Sequence, residues 1–490
     1  MTTSRPIRRL LVANRGEIAV RVIRACRAAG IEPVAVFSEA DVGARHVQLA
    51  AEGVFLGPPA ASASYLDARK VLEAAVRTGC DAVHPGYGFL SENAAFARAV
   101  VEAGLAWVGP PPAAIEAMGV KIPSRERMRA AGVPVVPGSH DLSLSSLASL
   151  VGYPLVVKAS AGGGGKGMRV VRTAAELSDA LSSCRREAEA AFGDGTLYAE
   201  RYLDRPRHVE VQVFGDRHGR VVAVGERECS LQRRHQKVIE ESPSPAVSPG
   251  LRERLFEAAV AAARAVSYES AGTVEFLLAP DGTFYFLEMN TRLQVEHPVT
   301  EEAFGLDLVG LQLRVAAGEP LPERLPRAPL AHAFEARVYA EDAENGFLPQ
   351  TGRLLAWQEP SGPGIRVDSG VSAGDEVTVH YDPMLAKVIA RGATREEARR
   401  RLASALAETI ALGVTTNLSY LRRVLDTKPV RRGEMDTSLL ERLAVPPVPR
   451  PPEAVFEAAL REFSSKGPEA LRGGVSFPDP FDAGGFRVLR

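Results

Sequence analysis

No run of about 18 consecutive apolar residues occurs in the 490-residue chain, so the sequence holds no membrane-spanning helix. The leader Met1-Thr2-Thr3-Ser4-Arg5-Pro6 lacks the apolar core of a signal peptide. There is almost no net charge (−1), and hence no global field to attract nucleic acid or a membrane surface. Cysteine is scarce: Cys26, Cys80, Cys184 and Cys229 are scattered with no Cys-x-x-Cys spacing. That excludes a zinc or disulfide framework and reads as reduced thiols in a cytoplasmic protein. Lysine is scarce too, present only at 70, 121, 158, 166, 237, 387, 428 and 466 beside a large excess of arginine. A position that keeps lysine against such a bias marks a need for a compact point charge that arginine supplies poorly. At this length two to four domains are expected.

What is present is concentrated in Phe284–Thr300, FYFLEMNTRLQVEHPVT. Phe284–Leu287 is aromatic and apolar, as in a strand, and every second residue from Glu288 on is polar: Glu288, Asn290, Arg292, Gln294, Glu296. Alternation puts such residues on one face. A half-exposed strand would show the same period, but carboxylates, an amide and a guanidinium form a metal-and-anion inventory. A straight strand would separate Glu288 from Glu296 by roughly 26 Å, so a shared site requires a bend, expected after Asn290. Upstream, Thr273–Leu278 reads as a second strand, with Pro280-Asp281-Gly282 as the turn. A two- or four-residue loop would set Glu275 opposite Glu288, where two bare carboxylates repel unless a cation lies between them. Oxygen donors from Glu275, Glu288 and Asn290 suit Mg²⁺ or Mn²⁺. A three-residue bulged loop would put the two glutamates on opposite faces.

From the start of the chain, Arg9–Asn14 reads as a strand, Ile18–Ala29 as a helix closed by Gly30, and Pro33–Phe37 as a strand. A helix over Asp67–Thr78, a strand at Ala82–His84, a helix over Ser91–Ala103 and a strand at Ala106–Val108 follow. This is an open parallel α/β region, with the turn His84–Gly88 at a carboxyl strand end where such sheets bind ligands. Lys121 precedes a helix. Between the strands Tyr153–Ala159 and Met168–Arg172 lies Ala161-Gly-Gly-Gly-Gly-Lys166-Gly167. It matches Gly-x-Gly-x-x-Gly but is followed by a strand, and Gly167 stands where a Walker loop needs Ser or Thr. A glycine flap able to close over phosphates fits the context. The run Arg227–Lys237, in a chain that is not basic, suggests an internal anion site. Beyond Ala331 the pattern becomes short strands, at 333–340, 354–358, 364–368, 376–379 and 385–390, then a helix from the capping box Thr394–Glu397 to about Leu412. A Pro-rich break at 446–452, a short helix at Glu453–Ser464 and a Gly/Pro-rich tail end the chain.

Several motifs in order resemble one family. They are NRGEIA at 14–19, HPGYGFLSEN at 84–93, KASAGGGGKGMRVV at 158–171, RHVEVQVFGD at 207–216, ECSLQRRHQKVIEE at 228–241, FLEMNTRLQVEHPVTE at 286–301, EARVYAED at 335–342 and YDPMLAKVI at 381–389. Over about residues 6–445 the chain resembles biotin carboxylase, the ATP-grasp component of biotin-dependent carboxylases. The resemblance implies an N-terminal α/β domain (1–120), an ATP-grasp domain (121–330, lid about 136–203), a C-terminal α+β domain (331–445) and a tail (446–490). It implies ATP bound by Lys121, Lys158, Gly164, Gly165, the connection Glu200, Arg201, Tyr202 and Leu203, and by His208, Gln232 and His235, with Glu275 and Glu288 also facing the nucleotide. Glu275, Glu288 and Asn290 would hold Mg²⁺ or Mn²⁺. Bicarbonate would sit against Lys237, Arg292, Gln294 and Val295, with Glu296 as its base. Attack on ATP would give carboxyphosphate, and Arg337 with Arg292 would stabilise the enolate-like biotin that accepts CO₂.

Two departures stand out: Gly119-Val120-Lys121 replaces the family's usual Gly-Asp-Lys, and Arg201 stands where Lys is common. Val338-Tyr339, AAGEPLP at 316–322 and DPFDAGGFRVL at 479–489 are similar to propionyl- and methylcrotonyl-type chains more than to the acetyl-CoA type. None of the eight lysines follows Met, as the biotinyl lysine does, so biotin is expected on a separate carrier protein, with a carboxyltransferase as a further partner. A homodimer or larger assembly is expected. Competing readings are another ATP-grasp ligase and an inactive ATP-binding scaffold.

Overall fold

The apolar run Leu10-Leu11-Val12 forms β1 (Arg9–Val12), and the chain then turns into the helix Gly16–Ala28, which buries Ile18, Val22, Ile23 and Cys26. In this computed structural model residues 6–443 are described apart from 144–145, 148–149, 161–166 and 235, together with 445 and 461. With β2 (Glu32–Ser38), β3 (Glu52–Gly57), β4 (Ala82–His84) and β5 (Ala106–Trp107), β1 builds a parallel sheet of order β3-β2-β1-β4-β5. The strand order reverses between β1 and β4, which opens a crevice at their carboxyl ends. Asn14 bridges it, donating Nδ2–H to the carbonyls of Pro85 (2.8 Å) and Tyr87 (2.7 Å). Gly86 has φ +63°, and a Cβ there would fall 2.9 Å from the Asn14 amide nitrogen, so this turn requires glycine. The edge strand β3 was not expected. It is short, has Gly at 53 and 57, and leaves Phe55 exposed, so it lacks the apolar signature of its neighbours.

A four-stranded antiparallel sheet comes next, made of β6 (Gly138–Ser139), β7 (Leu155–Ala159), β8 (Met168–Val171) and β9 (Leu197–Arg201) in the order β6-β9-β7-β8. The helix Leu177–Phe192 covers it through Leu177, Cys184 and Ala188. β7 and β8 pair as expected for strands flanking the glycine flap. The flap, with Gly164 and Gly165, lies outside the described residues, as does His235.

The largest sheet has eight antiparallel strands. They are β10 (Arg207–Gly215), β11 (Val221–Arg233), β12 (Gln236–Ser242), β13 (Ser270–Leu278), β14 (Phe284–Asn290) and β15 (His332–Tyr339), with Met384–Gly392 and Ile365–Ser369. Their order is β14-β13-β10-β11-β12-β15, then Met384–Gly392, then Ile365–Ser369. Residues on either side of 330 thus share one continuous sheet. Val209, Val211 and Val213 of β10 pack with the helix Pro249–Arg264, while Phe334, Ala336 and Val338 of β15 pack with the helix Arg395–Glu408. The opposite alternation, Glu210 and Gln212 on β10 and Glu335 and Arg337 on β15, is buried and polar or charged. The helix begins at its cap, Thr394, but ends at Glu408 rather than Leu412. Ile410–Leu412 instead pairs with Ala356–Gln358, where the β-branched Thr409-Ile410 favours extended chain. The helix expected at Glu453–Ser464 and the tail lie outside the described residues apart from residue 461.

One ion-paired carboxylate clamps three segments of the fold. Glu301 accepts from Arg21 Nη2 (2.8 Å), Arg366 Nη1 (2.8 Å) and the Leu308 N–H (2.7 Å). Burial alone would raise its pKa, but Arg21 and Arg366 bring it down to about 2 from 4.5. A depressed carboxylate contributes stability above its unfolded pKa and loses it as pH falls toward the folded value. At about 1.4 kcal/mol per unit, the clamp contributes roughly 3 kcal/mol at neutral pH. The melting-temperature gap between wild type and Glu301→Gln should therefore be wide at pH 7 and narrow progressively below pH 4.5. A gap independent of pH would contradict the ion-pair account.

Candidate active site

The β13–β14 hairpin settles how its two glutamates meet. The Ala279 N–H donates to Thr283 O (2.8 Å) and the Gly282 N–H to Ala279 O (3.0 Å), leaving a three-residue loop with Gly282 at φ +82°. This is the loop length that separates the glutamates in a regular hairpin. The register then shifts: Phe276 pairs with Phe286, yet Glu275 pairs with Glu288, so Leu287 is the extra residue of a bulge. The bulge restores the opposition. Burial and the Glu275 carboxylate push Glu288 up, against the opposing charges of Lys121, His208 and Lys237. Two carboxylates and the Asn290 amide supply hard oxygen donors there, so the residues fit a Mg²⁺ or Mn²⁺ ion. β14 ends at Asn290, the chain bends as expected, and Glu296 precedes the helix His297–Phe304.

Glu275 belongs to a larger cluster around Lys237. The Lys237 ammonium donates to Glu210 Oε2 (2.5 Å), Glu275 Oε1 (2.9 Å) and Glu296 Oε1 (2.6 Å). Burial would discharge this lysine, but the three carboxylates outweigh it and raise its pKa well above the ordinary value. Glu296 is held from a second side: Arg337 Nη2 donates to its Oε2 (2.9 Å), and Arg337 Nε donates to Glu240 Oε1 (2.6 Å). Against burial, Lys237, Arg337 and Arg227 keep Glu296 well below the usual carboxylate range, so it is an ionised acceptor. His208 Nε2 lies 3.0 Å from Glu275 Oε2; burial opposes its protonation, and Glu275 reverses the balance and raises it. Glu275 itself is driven low, against burial, by Lys237 and His208. Asn290 and Gln294 each donate a side-chain amide to Glu275 Oε1 at 2.8 Å. Arg292 reaches the other way, to Asn290 Oδ1 (3.0 Å) and to Glu92 Oε2 (2.9 Å) on the N-terminal side.

A second charged group lies at the other end. Glu200 on β9 ion-pairs with Lys158 on β7 and with Arg125, which also donates to Val136 O at 2.5 Å. Burial works against the Glu200 charge, but Lys158 and Arg125 hold its pKa low. Lys121 opens the helix Lys121–Ala130; burial lowers its pKa and Glu288 opposes the shift. Val120 beside it is 47% exposed and contributes no side-chain cap. Gln232 faces Lys237 across β11 and β12. One cleft of about 1240 Å³ joins both ends, and every expected site residue that is described lines it, including Arg201, Tyr202, Leu203 and Val295.

Several partners escaped the sequence reading. Glu210, Arg227, Glu240, Glu92 and Arg125 hold the expected residues in place. For Glu210 the signal was charge inside apolar alternation: Val209-Glu210-Val211-Gln212-Val213 is a buried strand with a polar face. Arg227 is fully buried and donates to Glu210, Gln212 Oε1 (2.8 Å), Thr300 Oγ1 (2.9 Å), Thr273 Oγ1 (3.0 Å) and Gln294 Oε1 (2.9 Å). In the sequence it stands out only as part of the basic run Arg227–Lys237.

Comparison with known proteins agrees with this geometry. Residues 6–115 match the biotin carboxylase N-terminal domain family, 121–324 the ATP-binding domain family of the carbamoyl-phosphate synthase L chain, and 335–442 the biotin carboxylase C-terminal domain family. A biotin carboxylase of Halalkalibacterium halodurans is 50% identical over 440 residues, covering 88% of this chain and 97% of that one. The chain belongs to the biotin carboxylase family. These are ligases of ATP-grasp fold. The mitochondrial methylcrotonoyl-CoA carboxylase subunit alpha of Oryza sativa subsp. japonica is 52% identical over 444 residues, covering 89% of this chain and 60% of its own length. The biotin carboxylase domain dimer of the Hydrogenobacter thermophilus 2-oxoglutarate carboxylase, in complex with MgADP, ADP and bicarbonate, superposes with a TM-score of 0.85 at 43% identity. That superposition covers 89% of this chain and 98% of that domain. Among the described residues no helix is long and apolar enough to cross a membrane.

Removing one partner of a buried ion pair costs about 3–5 kcal/mol, because the other charge is left uncompensated. Arg227→Met should approach that cost in urea unfolding: Lys237 still pairs Glu210 Oε2, but Glu210 Oε1 and the buried oxygens of Gln212, Thr273, Thr300 and Gln294 lose their donor. A loss below about 1 kcal/mol would show that Arg227 does not bind the cluster together.

Proposed function

We propose that this chain carboxylates biotin presented by a carrier protein, using ATP and bicarbonate, as the biotin carboxylase part of an acyl-CoA carboxylase. The observation that carries the reading is Glu296: ionised, buried, and gripped on one oxygen by Lys237 and on the other by Arg337. A carboxylate so placed is ionised and so has a site for the bicarbonate proton; the cations that weaken it as a base are the ones that hold the anion formed by proton loss.

In this reading ATP lies along the cleft against Lys121, Lys158, the flap at Gly164 and Gly165, the connection Glu200–Leu203, His208, Gln232 and His235. Glu275, Glu288 and Asn290 would hold a divalent ion, which when bound supplies charge neutralisation for the nucleotide phosphates. Lys237, Arg292, Gln294 and the Val295 backbone receive bicarbonate. Glu296 accepts its proton, making its oxygen a better nucleophile toward the γ-phosphoryl group. Arg337 supplies the fixed positive charge for the ureido oxygen of biotin, on which negative charge develops during carboxylation. Lys237 is shared among Glu210, Glu275 and Glu296, so the anion is received by an ammonium already fixed in position.

In the same reading, residues 1–120, 121–330 and 331–445 form three functional units, with 446–490 as a tail. The partners are a biotinyl-carrier protein and a carboxyltransferase, in a dimer or larger assembly in the cytoplasm. The cleft residues given roles above act on ATP, bicarbonate and biotin, which leaves the acyl acceptor to the carboxyltransferase. The methylcrotonoyl-CoA carboxylase relative supports an acyl-CoA.

The test separates the two half-reactions. Glu296→Ala should lose bicarbonate-dependent ATP cleavage and biotin carboxylation together, each by about 100-fold or more. Arg337→Ala should lose carboxylation while retaining measurable ATP cleavage. Equal loss of both activities in both variants would refute the division of roles, and wild-type rates in Glu296→Ala would refute the function.

A further inference from the structure

Lys387 is one of the few lysines kept in this arginine-rich chain, and it is fully buried in the middle of the strand Met384–Gly392. It stands in register with Arg337 on one side and Asp368 on the other, on the charged face of the eight-stranded sheet. An ammonium removed from water must be held by several groups. Lys387 Nζ donates to the carbonyl oxygen of Val295 at 2.8 Å, and lies 3.2 Å from Glu17 Oε2 and 3.8 Å from Asp368 Oδ2. The other Glu17 oxygen accepts from the hydroxyl of Tyr87, which lines the cleft. The backbone approaches closely at this junction too: a Cβ on Gly370 would lie 2.5 Å from the Glu17 nitrogen. Three segments distant in sequence therefore converge on one ammonium: the N-terminal helix with the turn after β4, the loop between β14 and the next helix, and the last strands of the sheet.

Val295 lies between Gln294 and Glu296. Fixing its carbonyl fixes the rotation of the peptide that joins it to Glu296, and with it the direction in which both neighbouring side chains enter the cleft. We infer that Lys387 is a positioning residue for the bicarbonate subsite, orienting the Gln294–Glu296 loop through the Val295 carbonyl and tying it through Glu17 to Tyr87. This rests on the proposed role of that loop in binding bicarbonate. A lysine that merely held domains together would affect thermal stability and leave substrate affinities alone.

Lys387→Met keeps the chain length and removes the donor and the charge. The measurement is ATP hydrolysis as a function of bicarbonate at saturating MgATP, and as a function of ATP at saturating bicarbonate. KM for bicarbonate should rise by about tenfold or more, as for a reacting group displaced by a fraction of an ångström, while KM for ATP stays within about twofold. If Lys387→Met does not fold, Glu17→Gln weakens the same anchor, and a rise of about two- to threefold in bicarbonate KM alone is expected. Unchanged bicarbonate KM in the soluble variant, or equal rises for both substrates, overturns the inference while leaving the proposed function standing. A wild-type chain whose ATP hydrolysis ignores bicarbonate overturns both.

Discussion

The ammonium of Lys237 is the fixed point of the site. Glu210, Glu275 and Glu296 converge on it from three separate stretches of chain, and three buried carboxylates brought this close together require a cation among them. The dependence is mutual, because burial alone would strip the proton from the lysine. Arg227 and Arg337 then extend the pairing outward to Gln294, Glu240 and the second oxygen of Glu296. The result is a set of side chains with very little freedom to reorient, the kind of preorganised field that stabilises developing charge.

The sheet makes this possible by dividing its two faces. One face of the central strands is valine and phenylalanine against helices; the other is a band of charge running from Glu275 to Asp368. Because β12 pairs with β15, Glu240 and Arg337 are delivered beside Lys237 from opposite sides of the residue 330 boundary. The N-terminal region closes the remaining side, where Glu92 holds Arg292 and Glu17 meets Lys387. No single region contains a complete site.

Much of the inner site was legible in the sequence. Glu288, Asn290, Arg292, Gln294 and Glu296 stood out because functional groups were packed at period two beyond a strand, and their convergence demanded the bend seen after Asn290. The opposition of Glu275 and Glu288 was anticipated, but by the wrong route: the loop is three residues long and a bulge at Leu287 corrects the phase. Bulges depend on local twist and packing that a turn motif does not encode. The supporting residues were illegible for a different reason. Arg227 reads as one of a surface run, and only the pairing of β10, β11 and β13 reveals that it is surrounded by Glu210, Gln212 and Thr273. Lys387 stood out by composition, since lysine is rare here, but its partners are remote in sequence: Val295 lies 92 residues away and Glu17 near the start of the chain. The edge strand β3 and the early end of the helix at Glu408 were missed because short extended segments carry little periodicity.

The account turns on bicarbonate, rather than water, attacking the γ-phosphoryl group of ATP beside Glu296. Oxygen-18 bicarbonate tests this directly when supplied to the purified chain with MgATP and free biotin in unlabelled water. Inorganic phosphate released in the first turnovers should carry one labelled oxygen, because the attacking oxygen stays with phosphorus when the mixed anhydride breaks down. Phosphate free of label, released at the same rate with or without bicarbonate, would mean that water is the nucleophile and that the charged cluster around Lys237 serves some other chemistry.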